Sequence, residues 1–155
     1  MDTKVLIVYY SRTKNTKKVA EELQAQLGGD IEEIKPKKGY AGPVGWILAG
    51  KEAFQKVLPE IELIEKNPAS YDLVVFGTPV WAWNISSPLR TYIDQNKEKF
   101  NKIAAFCTMG GDFGKAFEEI ELICNRKLEA KIAIKTKDII SGNLGALKSF
   151  LSDMV

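Results

Sequence analysis

The chain of 155 residues has the length of one domain, and hydrophobic residues make up 45% of it, enough for a sizeable core. Charged residues make up 27% and the net charge is only +2, too weak and too evenly spread to indicate a nucleic-acid or membrane surface. The absence of histidine from the sequence excludes His-dependent catalytic triads and histidine metal sites.

The chain enters a strand pattern directly, without the charged and apolar segments that form a signal peptide. No apolar run approaches the roughly 20 residues that a membrane-spanning helix needs. Two cysteines, Cys107 and Cys124, are too few for a disulfide framework or a cysteine-ligated metal cluster. We therefore expect a cytoplasmic protein with two reduced, buried thiols.

Apolar runs alternate with segments of helical periodicity along the whole chain. The first strand is predicted in "VLIVYY", residues 5–10, and the first helical pattern runs to Leu27. The other strands are predicted at 31–34, 71–78, 102–108 and 130–140, and the other helices at 44–58, 88–97, 115–126 and 144–154. Near-continuous apolar strands between helices indicate an α/β fold with a parallel sheet covered on both faces. The segment 35–45, rich in glycine and proline, is expected to be a mobile surface loop.

Three of the predicted strands end in a hydroxyl residue, namely Ser11, Thr78 and Thr108. The carboxyl ends of parallel strands lie at the same edge of a sheet, and doubly wound sheets bind their ligands outside that edge. We therefore expect the three loops that follow these strands to converge on one site.

The first loop, Ser11–Thr16, combines hydroxyls and an amide with the free N–H groups of a helix start, which together favour an anion. Four cations crowd this loop and the first turn of the helix: Arg12, Lys14, Lys17 and Lys18. Each exposed cation there destabilises the helix by about 0.3–1 kcal/mol through its repulsion by the helix dipole. A bound dianion would make the electrostatic contribution of these cations favourable. The alternative is that Lys17 and Lys18 pair with the glutamates four residues later, which stabilises a helix by only a few tenths of a kcal/mol.

The second loop, "TPVWAWNISSP", carries two tryptophans two residues apart, Trp81 and Trp83. An indole in a loop at a ligand edge offers a flat face for stacking, although one of the two can instead pack beneath the loop. The third loop, "TMGGDFG", has three glycines, which allow the backbone to approach a ligand closely. Its Phe113 is either a second aromatic wall or a core contact at the start of the next helix.

An anion site beside aromatic and glycine-rich loops suits a flat heterocycle on a phosphate tail, and in these loops the chain resembles the flavodoxin family over essentially its whole length. "SRTKNT" resembles the family's phosphate loop, [ST]-x-T-x-x-T. "GTPVWAWNISSPLRTYI" resembles the loop "GxPVWAG…PP…" that packs on the isoalloxazine of FMN, and "TMGGDFGKA" resembles the loop on its other side. The resemblance implies a single FMN-binding domain, a three-layer doubly wound sandwich whose five parallel strands have the order 2-1-3-4-5.

The resemblance also assigns residues of the three loops to FMN. The phosphate loop contributes Ser11, Arg12, Thr13, Lys14, Asn15 and Thr16. The loops beside the isoalloxazine contribute Thr78, Pro79, Val80, Trp81, Ala82, Trp83 and Asn84 on one side and Thr108, Met109, Gly110, Gly111, Asp112 and Phe113 on the other. No residue is predicted to be catalytic or to bind a metal.

Trp83 stands where the family usually has glycine. In flavodoxins a glycine-containing peptide at this place turns its carbonyl toward the flavin N5–H of the semiquinone. A positive φ is costly for tryptophan, whereas the next residue, Asn84, tolerates it. The resemblance then implies only weak stabilisation of the semiquinone.

Three functions are compatible with the resemblance. The first is an FMN electron-transfer protein that cycles between the oxidised, semiquinone and hydroquinone states and exchanges electrons with a redox partner protein or a small acceptor. The alternative is an FMN-dependent NAD(P)H:quinone-type oxidoreductase, favoured because electron-carrier flavodoxins are typically acidic and this chain is not. The third is a flavin-free interaction module. No nucleic-acid or membrane partner is expected, and the oligomeric state stays open.

Overall fold

A central sheet of parallel strands organises the computed structural model, which describes residues 3–154. The strands are β1 (Val5–Tyr9), β2 (Asp30–Glu33), β3 (Leu73–Trp81), β4 (Asn84–Ile85), β5 (Lys102–Met109) and β6 (Lys131–Lys135). Five of them are parallel and have the order β2-β1-β3-β5-β6, which is the predicted order 2-1-3-4-5. The short β4, which the sequence analysis did not predict, pairs antiparallel with the end of β3.

Helices cover both faces of the sheet. They are α1 (Asn15–Leu27), α2 (Gly42–Gln55), α3 (Ser87–Asn96), α4 (Ala116–Cys124), α5 (Thr136–Ser141) and α6 (Leu147–Asp153). The core under α2, α3 and α4 is separate from the core under α1, α5 and α6. This is the predicted three-layer α/β sandwich. Within residues 3–154, no helix has the length and the apolar character needed to cross a bilayer.

The strand β1 illustrates why the strands are continuously apolar. Leu6 and Val8 pack into the core under α2, α3 and α4, whereas Val5, Ile7 and Tyr9 pack into the opposite core. Alternate side chains of a strand point to opposite faces, and here both faces are covered by helices. A polar residue at any of these positions would be buried.

The last predicted strand is too long. The strand β6 ends at Lys135, and α5 begins directly at Thr136, whose hydroxyl donates to the Met109 carbonyl at 3.0 Å. Ile139 is buried as a helical residue against α1 and not as a strand residue. Short apolar runs do not distinguish a strand from a buried helix, which explains the error.

The surface loop predicted at 35–45 is too long, because the residues from Gly42 onward belong to α2. Most of the segment is exposed, as predicted for a surface loop, but Tyr40 is buried and Pro36 forms a bridge with Ile61. The segment is therefore attached to the domain at these two points.

A buried ion pair joins the helices on the α2 side of the sheet. Arg90 Nη1 donates to Glu119 Oε1 at 2.8 Å, and Lys56 Nζ lies 3.5 Å from the same oxygen. Burial acts to raise the pKa of Glu119, but the hydrogen bond and charge of Arg90, with the charge of Lys56, outweigh it and hold the pKa below its ordinary value. Among residues 3–154, Nε and Nη2 of Arg90 have no acceptor, so the guanidinium depends on this carboxylate.

We expect Glu119→Gln to lower the free energy of unfolding by about 3 kcal/mol at neutral pH, because the buried Arg90 loses its charged partner. A carboxylate with a lowered folded pKa stabilises the fold above its unfolded pKa, and this stabilisation is lost as the pH falls through the folded pKa. The difference between the two proteins should therefore shrink once the pH falls below about 4.

Urea unfolding at several pH values measures this difference. Glu118→Gln, one residue away and exposed, is the control and should change stability by less than about 0.5 kcal/mol. A difference that does not vary with pH would contradict the assignment to the carboxylate charge.

Candidate functional site

The three predicted loops meet at one edge of the sheet, because β1, β3 and β5 are neighbours in the strand order. The first and third loops are joined by the Thr16 and Thr108 hydroxyls, which lie 2.8 Å apart. The first and second are joined by the rings of Tyr10 and Trp81, whose centroids lie 5.3 Å apart. The predicted convergence on one site is therefore present in the structure.

A cleft of about 580 Å³ opens at this edge, between α2, the β3–β4 turn and the loop after β5. Eight residues of its lining were predicted: Val80, Trp81, Ala82, Trp83, Met109, Gly110, Gly111 and Asp112. Its size falls in the range of small-molecule and cofactor sites. Neither Gly110 nor Gly111 has any heavy atom within 4 Å of where a Cβ would stand, so both glycines leave this side of the cleft open.

The two tryptophans of the second loop have different environments. Trp81 is only 8% exposed and packs edge-on against Tyr40, with centroids 5.0 Å apart, as well as against Tyr10. Trp83 is 68% exposed and borders the cleft. One indole thus packs beneath the loop and forms the base of the cleft, while the other presents a free face to it.

The turn between β3 and β4 has an unusual backbone. Its two central residues, Ala82 and Trp83, have φ values of 48° and 62°. A two-residue hairpin with positive φ at both positions is a type I′ turn, which glycine and asparagine normally occupy. Trp83 therefore adopts the positive φ that is costly for tryptophan. Asn84 is instead a buried strand residue whose side-chain oxygen accepts from the Ile85 N–H.

The loop after β5 holds this turn in place. The Lys115 N–H donates to the Trp83 carbonyl at 2.8 Å. A Cβ on Gly114 would lie 2.3 Å from the same carbonyl oxygen, so only glycine permits this approach. Backbone strain of this kind is found at functional sites, where the surrounding structure maintains it.

We expect Trp83→Gly to raise the free energy of unfolding by about 1 kcal/mol, because the left-handed conformation costs a non-glycine residue about 1–2 kcal/mol. Trp81→Ala, two residues earlier, should lower it by about 3–5 kcal/mol, because it removes a buried indole. Urea unfolding of both variants measures the contrast. A loss of several kcal/mol in Trp83→Gly would show that its indole is a packing residue.

In the first loop, the hydroxyls of Ser11 and Thr16 have structural partners. The Ser11 hydroxyl accepts from the Lys17 N–H at 3.2 Å, and Thr16 is buried against Thr108. Thr13 is exposed, and its oxygen accepts from the Asn15 amide at 3.4 Å. Thr13 therefore remains available to a ligand, together with the N–H groups of residues 15 and 16 in the first turn of α1, which have no acceptor within a helix.

The cations of this loop do not form the alternative helical pairs. In the part of the chain that the structure describes, neither Lys17 nor Lys18 forms a salt bridge with the glutamate four residues later. Lys18 Nζ instead donates to the Ile139 carbonyl at 3.3 Å, and Arg12 donates to two backbone carbonyls just before and at the first residue of α2. Lys14, with a φ of 73°, is exposed immediately before the helix.

Several predicted residues lie beside the cleft but outside its lining: the loop Ser11–Thr16, Thr78, Pro79, Asn84, Thr108 and Phe113. The Thr78 hydroxyl lies 2.9 Å from the Ser86 hydroxyl and accepts from the Ser86 N–H. Phe113 packs on Phe117 with centroids 5.3 Å apart but is 41% exposed, so it contacts the helix start without belonging to the core.

The residues that α2 contributes to the wall of the cleft were not predicted from the sequence. They are Trp46, Ile47, Ala49, Gly50 and Lys51. The sequence does contain a pattern that indicates which face of α2 is buried. Small residues recur at a spacing of four, and they are the buried residues of the helix: Gly45, Ala49 and Ala53. The large apolar residues therefore lie elsewhere on the helix, which gives α2 a second apolar face.

The two cysteines of the chain are buried thiols. Burial raises the pKa of Cys107 to about 12 and that of Cys124 to about 11, so both thiols stay protonated at neutral pH. Both cysteines are free and buried, as expected. No cluster of three or more His, Cys, Asp or Glu residues suited to a metal occurs within residues 3–154.

The chain matches a known protein family and several solved structures. The sequence model of the family described as Flavodoxin matches residues 4–144. No curated protein matches the chain. A flavoprotein in complex with FMN from Lactobacillus acidophilus NCFM is 26% identical, with a TM-score of 0.73 over 90% of this chain and 97% of that one.

Two further solved structures are similar. The apo-form of the flavoprotein from Lactobacillus acidophilus NCFM is 25% identical, with a TM-score of 0.65 over 88% of this chain and 95% of that one. The two-electron reduced Megasphaera elsdenii flavodoxin is 19% identical, with a TM-score of 0.54 over 84% of this chain and 85% of that one. The last likeness concerns the fold alone.

Proposed function

The chain belongs to the flavodoxin family, and we propose that it binds FMN at the carboxyl edge of its sheet and transfers electrons through that cofactor. One observation carries the proposal: a cleft of about 580 Å³ with an exposed indole on its rim adjoins a helix start that is rich in N–H donors and cations. The flavoprotein of Lactobacillus acidophilus, solved with FMN, supports the same cofactor.

The first loop suits the phosphate. The first turn of α1 has no acidic residue and offers the free N–H groups of residues 15 and 16. The Thr13 hydroxyl and the charges of Lys14 and Lys17 lie next to them in the sequence. A dianion bound there interacts favourably with the helix dipole and offsets the repulsion between these cations and the helix start. The Thr16–Thr108 hydrogen bond keeps this loop next to the cleft.

The cleft suits the isoalloxazine. Trp83 on one rim and Trp46 on the other border it with exposed indoles, and Trp81 forms its base. FMN supplies the redox chemistry when it is bound, while the protein binds, orients and partly shields the ring. Gly110 and Gly111 let the backbone approach the ring edge, because they have no side chain.

A second candidate is an FMN-dependent oxidoreductase that passes electrons from NAD(P)H to a small acceptor such as a quinone. It is favoured by the exposed apolar side chains Trp46, Ile47 and Trp83 around the cleft, which suit a planar molecule more than a charged protein surface. The net charge of +2 also differs from that of typically acidic electron carriers.

We expect the apoprotein to bind FMN at least about tenfold more tightly than riboflavin, because only FMN makes charge-assisted hydrogen bonds, each worth roughly 1.5–3 kcal/mol. Thr13→Ala should weaken FMN binding about tenfold and leave riboflavin binding unchanged. Fluorescence titration with both flavins measures this, and Thr13→Ser, which retains the hydroxyl, is the matched control. Equal affinities of the wild-type protein for the two flavins would contradict the assignment of the phosphate site. If the protein binds neither flavin, the result would favour a flavin-free interaction module.

Mixing the FMN-loaded protein with NADH or NADPH distinguishes electron transfer from oxidoreductase activity. For an electron carrier, we expect neither nucleotide to bleach the visible flavin band, whereas the protein reduced with dithionite should pass electrons to cytochrome c. Sustained consumption of NAD(P)H in the presence of a naphthoquinone would instead support the second candidate.

A further inference from the structure

Arg12 lies within the phosphate-type loop, but its side chain reaches the start of α2. Its Nε donates to the Tyr40 carbonyl at 2.8 Å and its Nη2 donates to the Gly42 carbonyl at 3.0 Å. Charge-assisted hydrogen bonds of this kind are roughly twice as strong as neutral ones, and the planar guanidinium defines their direction. The segment at which α2 begins is thus connected to the end of β1.

Besides Arg12, the start of α2 is held by Tyr40, just before the helix, whose buried ring packs on Trp81, while the first turns themselves bury little apolar area. The buried residues of α2 are Gly45, Ala49 and Ala53, and such small side chains remove little apolar area from water. A Cβ on Gly45 would lie 2.2 Å from the Tyr40 carbonyl carbon, so the helix start packs directly on the backbone to which Arg12 is bonded. A small displacement of that backbone would therefore displace the helix.

The other polar contacts of α2 lie further along the helix. Tyr40 donates to Glu52 Oε1 at 2.6 Å, and the Ser87 hydroxyl donates to the same oxygen at 3.2 Å. Lys56, just past the helix end, pairs with Glu119 at 3.5 Å. The first two turns, which carry the cleft residues Trp46 and Ile47, have Arg12 as their nearest polar anchor.

We infer that Arg12 is a positioning residue for the ring side of the cleft: by holding the backbone at Tyr40 and Gly42, it keeps the α2 wall of Trp46 and Ile47 in place, and it does not serve as a phosphate ligand. The inference rests on the proposed binding of a flavin in this cleft. It assigns to Arg12 an effect on the flavin ring, although the residue stands between two residues of the phosphate loop.

Flavin selectivity tests this role. In Arg12→Ala, affinities for FMN and riboflavin should both fall about tenfold, so that their ratio stays that of wild type. In Thr13→Ala, the matched control on the same loop, only the FMN affinity should fall. Loss of FMN affinity alone in Arg12→Ala would overturn the inference and make Arg12 a phosphate ligand. Unchanged affinity for both flavins would overturn it as well.

A double-mutant cycle separates positioning from a general loss of stability. If Arg12 acts through the α2 wall, Arg12→Ala should weaken riboflavin binding less in a Trp46→Ala background than in wild type, because the wall is already incomplete. All titrations are done well below the unfolding temperature of each variant. Additive effects of the two substitutions would count against the inference. Arg12→Lys, with a single donor group, should recover only part of the affinity.

Hydrogen exchange of the flavin-free protein gives a readout that does not depend on the proposed function. Amides in the first turns of α2, residues 44–49, should exchange at least about tenfold faster in Arg12→Ala, while those of α1 and of the α2 C-terminus keep their rates. Unchanged rates at 44–49 would overturn the anchoring role even if wild type binds no flavin. If the rates rise and wild type binds neither flavin, the proposed function fails and so does the inferred effect on the ring.

Discussion

Parallel pairing of β1, β3 and β5 is the constraint on which the site depends. Residues near 12, 82 and 110 are far apart in the chain, yet their strands are neighbours and run in the same direction. The loops at their carboxyl ends therefore lie side by side, and the Thr16–Thr108 hydrogen bond and the Tyr10–Trp81 contact join them. The helices on both faces bury the sheet and leave this edge accessible.

The site borders on two elements that the core stabilises only weakly. The β3–β4 turn holds Ala82 and Trp83 at positive φ, and it keeps this conformation because Lys115 bonds the Trp83 carbonyl and Gly114 makes room for it. The fully buried residues of α2 are all small, and of its large apolar residues Leu48 packs partly against the core whereas Val44, Trp46, Ile47 and Phe54 are exposed. In both cases the border of the cleft lowers the stability of the fold, through backbone strain in the turn and through exposed apolar area on the helix.

Much of the fold could be predicted because its signals are local. The apolar runs of β1, β3 and β5 are continuous because helices cover both faces of the sheet. The hydroxyl-rich segment 11–16 joins β1 to the first turn of α1, where the N–H groups of the helix start lack partners. The boundary at Thr136 could not be predicted in this way, because "AKIAIKTKDII" is compatible with a strand throughout. There the contact of Ile139 with the α1 side of the core decides in favour of a helix.

The sequence by itself determined the order of the five parallel strands and of the helices between them, but not β4 or α5. It also determined the three loops and the residue types available for an anion and a flat ring. The tertiary structure decided which residues face the cleft. Trp81 and Trp83 are the same residue type two positions apart, and the sequence does not distinguish them. Trp81 is buried because it packs against Tyr10 and Tyr40, whereas Trp83 is exposed. Arg12 likewise belongs to the phosphate loop by position, yet the carbonyls of Tyr40 and Gly42 engage its side chain. Such assignments depend on contacts between segments distant in the chain, which no local pattern encodes.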